Sequence, residues 1–79
     1  MSFELRSTPD LVQVAAAGGG FRLDAATRPT PDLIQIAAAA ASGKAHVTFA
    51  GMEHRPTADL VQIGEAGKGF VSFEGMAAW

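Results

Sequence analysis

Three ten-residue segments of this chain align without a gap: Arg6-Ser7-Thr8-Pro9-Asp10-Leu11-Val12-Gln13-Val14-Ala15, Arg28-Pro29-Thr30-Pro31-Asp32-Leu33-Ile34-Gln35-Ile36-Ala37 and Arg55-Pro56-Thr57-Ala58-Asp59-Leu60-Val61-Gln62-Ile63-Gly64. Arginine, threonine, aspartate, leucine and glutamine recur at the same offsets, and β-branched residues flank every glutamine. The threonines stand 22 and then 27 residues apart, within the period of about 20–50 residues that marks stacked repeat units. A unit this short cannot bury its own apolar face, so neighbouring units must stack on one another. We read the repeats as approximately 6–27, 28–54 and 55–76 of one domain, 1–79.

Each unit opens like a helix and closes like a strand. Thr8, Thr30 and Thr57 fit an N-cap, Pro9 and Pro31 the first helical position, and Asp10, Asp32 and Asp59 the first turn. Leu11, Val14 and Ala15, with their equivalents, have the spacing of a buried helical stripe. Glycines then stop the helices at Gly18-Gly19-Gly20, Gly43 and Gly67-Lys68-Gly69, and the run Ala37 to Ala41 lengthens the middle helix by about one turn. The segments Phe21-Arg22-Leu23-Asp24, Val47-Thr48-Phe49-Ala50 and Val71-Ser72-Phe73-Glu74 follow, with the period of two of a half-buried strand. Phe21, Leu23, Val47, Phe49, Val71 and Phe73 should face the helices. Phe3 to Leu5 offers a fourth strand. Alternating helices and strands with short connections imply right-handed crossovers and a parallel sheet. The expected fold is α/β: three tandem helix-strand repeats forming a short right-handed solenoid, with the helices on one face of a three- or four-stranded parallel sheet.

In period and in strand–helix layout the chain resembles the leucine-rich-repeat class of α/β solenoids, and the resemblance spans nearly its whole length. The Leu-x-x-Leu-x-Leu-x-x-Asn run of that class is absent, and Phe70-Val71-Ser72-Phe73-Glu74-Gly75-Met76 is its loose analogue here. The Asp-Leu-Val-Gln-Ile-Ala block also resembles repeats of small uncharacterised bacterial proteins. Both likenesses imply architecture and carry no functional residue across.

Composition narrows the function. A chain of 79 residues buries only about 60% of the surface its unfolded form exposes, and with no cysteine neither a disulfide nor a thiolate metal site can reinforce it. Six Lys and Arg against eight Asp and Glu leave no basic footprint for nucleic acid. The longest apolar run apart from glycine, Ile36 to Ala41, is far short of the roughly 20 residues that span a membrane. Without a secretory signal at the N-terminus, the expectation is a cytoplasmic protein that meets neither nucleic acid nor membrane.

Catalytic groups are sparse. His46 and His54 are the two side chains suited to acid–base work near neutral pH, and neither has a serine or carboxylate at a spacing that suggests a triad or metal site. We read both as surface histidines. The glycine clusters follow helices and precede strands, the reverse of a phosphate-binding loop, whose helix N-terminus must face the anion. No enzyme, cofactor or metal is expected. The recurring Arg and Asp read as pairs within or between units, and Gln13, Gln35 and Gln62 as an amide row along the helices.

The face of the sheet turned away from the helices is the expected binding surface, built by Arg22, Asp24, Thr48, Ser72 and Glu74. Its mixed charge and small side chains suit a protein partner. Phe70, Met52, Met76 and Trp79 fall outside the regular core pattern, and Phe70, Met76 and Trp79 are interface candidates, since aromatic residues and methionine are enriched in interface cores. The last repeat lacks the polar cap that terminal units need, so the strand from Val71 would lie open unless the Trp79 tail folds over it. The sequence therefore predicts a homodimer and a non-enzymatic protein-interaction or assembly module. Two alternatives are a small phage or mobile-element inhibitor that blocks a larger complex, and a minimal enzyme whose site forms between subunits around His46 or His54.

Overall fold

The computed structural model of the chain describes residues 7–25, 28–52 and 55–74. Helices and strands alternate: α1 (Thr8–Ala16), β1 (Phe21–Asp24), α2 (Thr30–Gly43), β2 (Val47–Ala50), α3 (Thr57–Gly67) and β3 (Val71–Phe73). The three strands form one open parallel sheet in the order β1-β2-β3. The register runs Phe21–Val47–Val71, Arg22–Thr48–Ser72 and Leu23–Phe49–Phe73. The expected strand at Phe3 to Leu5 lies outside the described residues.

Packing follows the alternation. Leu11 and Ala15 of α1, Leu33, Ile36, Ala37 and Ala40 of α2, and Ile63 of α3 are buried in one cluster with Phe21, Leu23, Val47 and Phe49. The odd-numbered strand residues thus face the helices, and α2 lies between α1 and α3. The alanine run makes α2 the longest helix, with 14 residues against 9 and 11. Ala37 and Ala40 are wholly buried, so small side chains bring α2 close to its neighbours.

Four local expectations are corrected. The threonines do not cap their helices. Ser7 caps α1, accepting from the Asp10 N–H at 3.4 Å, while Pro29 and Pro56 occupy the cap positions of α2 and α3 in extended conformation without a side-chain cap bond. A proline fixed near φ −65° holds the chain at the helix entrance, which leaves the following threonine hydroxyl for other partners. The left-handed stop of α2 falls on Lys44 (φ 56°), one residue beyond the expected Gly43, whereas that of α3 falls on Lys68 (φ 50°), inside the expected Gly67-Lys68-Gly69. Gly43 and Gly67 are demanded by contact instead. A Cβ on Gly43 would run into the carbonyl oxygen of Ala15, and one on Gly67 would lie 2.6 Å from a Val71 methyl. Met52 belongs to the core, at 2% exposure, because its backbone N–H donates to the Glu74 carbonyl (3.2 Å) and draws the residue in behind β2. Phe73 faces the helices only in part. It stacks on Phe49 with centroids 6.3 Å apart yet stays 37% exposed, since among the described residues β3 has a strand on one side only.

A candidate interaction surface

Five positions were expected on the free face of the sheet, and two hydrogen-bonded pairs form there, Arg22 with Glu74 and Thr48 with Ser72. Strands lie about 4.8 Å apart, so β1 and β3 are two spacings apart and only long side chains can span them. Arg22 does so. Its Nε and Nη2 both donate to Glu74 Oε1, at 2.9 and 2.8 Å. The middle of the face is closed by a Thr48–Ser72 hydroxyl bond of 2.9 Å between register partners. Asp24 is exposed beside Arg22's strand position, opposite Ala50. Glu74 stands one residue past the end of β3, but its N–H still donates to the Phe49 carbonyl at 2.8 Å, which fixes it in line with the sheet.

The expectation missed His46. Its Nε2 lies 3.1 Å from Ser72 Oγ, so His46, Ser72 and Thr48 form one hydrogen-bonded string across β2 and β3. The period of two carries the missing signal: residue 46 shares parity with Thr48, and extending the alternation one step backwards from Val47 places it on the same face. Of the remaining expected positions, Phe70 is half-buried against the core, while Met76, Trp79 and His54 lie outside the described residues. Gln13, Gln35 and Gln62 are all exposed, and no hydrogen bond links them among the described residues.

A second polar system joins the helices end to end of the layer. Thr8 Oγ1 donates to Asp32 Oδ2 (3.0 Å) and accepts from Arg28 Nη1 (3.0 Å). One unit further, Thr30 Oγ1 donates to Asp59 Oδ2 (3.0 Å) and accepts from Arg55 Nη1 (2.9 Å). The recurring Arg and Asp therefore meet through a threonine of the preceding unit. Arg55 adds Nη2 donation to the carbonyl oxygens of Ala25 (2.7 Å) and Arg28. These groups are partly buried, and bonds with one charged partner are the stronger kind, so each set ties the start of one helix to the start of the next.

Among the described residues no group of three or more His, Asp or Glu could hold a metal ion, and no helix is long and apolar enough to cross a membrane. The chain matches no protein-family model, and comparisons with curated proteins and with solved structures find no match.

Proposed function

We propose that the chain is a non-enzymatic protein-interaction or assembly module: a short right-handed α/β solenoid that presents a rigid, hydrogen-bonded sheet face to a protein partner. The observation that carries this reading is the pairing of side chains over the sheet face, Arg22 with Glu74 between the outer strands and Thr48 with Ser72 between β2 and β3. A face whose side chains are already held in place loses little entropy when it is covered. Its groups are polar and mixed in charge, from the short Thr48 and Ser72 to the long Arg22 and Glu74, which suits the broad contact of a protein more than a small molecule. The Arg–Thr–Asp junctions support the solenoid part, because the same bonds recur where successive units meet.

The test uses the tagged full chain and a Ser72→Arg variant, which plants a bulky cation in the middle of the face. The reading expects a stoichiometric partner that the wild type captures, that rebinds when both are purified, and that the folded variant loses. A purified partner bound equally by both forms would overturn the face as the binding surface.

The Ser72–His46 bond favours one other reading, nucleophilic catalysis. That chemistry needs a base on the hydroxyl, which His46 Nε2 could be, together with an orienting carboxylate and oxyanion donors. Among the described residues no carboxylate is bonded to His46, and in the reading of a site between subunits a second chain supplies it. Hydrolysis of an activated ester that falls equally in Ser72→Ala and His46→Ala would support it. Rates equal to background in all three forms would eliminate it.

A further inference from the structure

The two ends of the helix layer expose the same residues that the internal junctions bury. Around a helix, positions two apart point about 200° from one another, so the residues on either side of each glutamine project to opposite flanks. On the flank toward the preceding unit stand Val14, Ile36 and Ile63. Ile36 and Ile63 are 0% exposed, whereas Val14, with no described helix before it, is 37% exposed. On the flank toward the following unit stand Val12, Ile34 and Val61. The first two pack against the core, whereas Val61 is 51% exposed.

The polar half of the junction is divided in the same way. Thr8 and Thr30 each bond to an aspartate of the next unit, and Thr57 is exposed at the end of the row. Asp32 and Asp59 each accept from a threonine of the preceding unit, and Asp10 is exposed at the start. Arg6, outside the described residues, has the sequence offset of Arg28 and Arg55. One end thus presents the threonine and the other the aspartate of a Thr–Asp contact like the two inside the fold, each beside an uncovered valine.

We propose that copies of this chain join head to tail, the Thr57–Val61 end of one docking on the Asp10–Val14 end of the next through a third copy of the internal junction. This rests on the solenoid reading above but not on the sheet face. It also changes the symmetry expected of a homodimer. A contact between two different patches leaves one of each free, so the assembly grows with concentration instead of closing at two.

Sedimentation velocity of wild type, Val14→Glu, Val61→Glu and an equimolar mixture of the two variants tests it. Both valines are surface positions, and a Thr57→Glu variant, which sets a carboxylate opposite Asp10, gives a second block of the same end as Val61→Glu. The proposal expects wild-type mass to rise with concentration above 8.1 kDa and each variant alone to stay monomeric. The mixture should recover a species of twice the monomer mass and stop there, because each partner contributes one intact end. A monomeric wild type, a variant that associates like wild type, or a mixture that stays monomeric overturns it. Ser72→Arg should associate like wild type, so failure of the sheet-face reading and failure of this one remain separable.

Discussion

Two helical glycines offer a matched test of how closely α1 and α2 approach. Replacing glycine by alanine within a helix gains about 0.5–1 kcal/mol from backbone entropy. At Gly64 of α3 a Cβ would meet nothing within 4 Å, and the equivalent positions of the other units are already Ala15 and Ala37. Gly64→Ala should therefore keep the whole gain, raising the melting temperature by up to about 4–8 °C in a domain this small. At Gly43 of α2 the new methyl would be driven against the carbonyl oxygens of Ala15 and Ala16. Backbone atoms cannot rotate away, so the helices must part, and overpacking of this kind costs about 1–3 kcal/mol. The intrinsic gain is smaller at this last helical residue, which leaves Gly43→Ala destabilised by about 1–2 kcal/mol. Urea unfolding followed by helical circular dichroism, at one protein concentration and with the slope checked for constancy, reads both. A Gly43→Ala chain as stable as Gly64→Ala would refute the close approach of α1 and α2.

Three further outcomes are expected. Thr30→Val removes the bridge between Arg55 and Asp59 and should cost about 1–3 kcal/mol, whereas Thr57→Val, measured in dilute solution, should fall within about 0.5 kcal/mol of wild type. Lys44→Gly and Lys68→Gly relieve left-handed strain of about 1–2 kcal/mol, partly offset by the greater freedom of glycine when unfolded, so each should raise the urea midpoint slightly. Met52→Ala should destabilise by about 2–5 kcal/mol, and a larger loss at half-exposed Phe73 than at Met52 in the same unfolding assay would contradict its place in the core.

The order of elements is legible in the repeat itself, because the recurring Asp-Leu-Val/Ile-Gln block marks a helix start and the two-residue period marks a strand. β1 and β2 fall on the residues the alternation assigns, and the alanine run lengthens α2 as its composition implies. What the sequence hides is the work of residues whose partners lie a whole unit away. A threonine before a first-turn aspartate reads as a cap, and only the packing of neighbouring helices shows its hydroxyl bridging to an aspartate 24 or 29 residues on. Gly43 reads as a conformational stop, although the constraint on it is a carbonyl of the neighbouring helix. On the sheet face, Arg22 pairs with Glu74 and Thr48 with Ser72, side chains that the alternation places on the same side. His46 escapes because the alternating segment is counted from its first apolar residue, Val47.

The central claim is that the two ends of the fold are the separated halves of its internal junction. Backbone amide chemical shifts followed by NMR through a dilution series test it most directly, since they map where copies touch. The account predicts that two patches move together with concentration, one around Asp10 and Val14 and the other around Thr57 and Val61, while Arg22, Thr48 and Ser72 stay fixed. Movement confined to one patch, or centred on the sheet face, would contradict it.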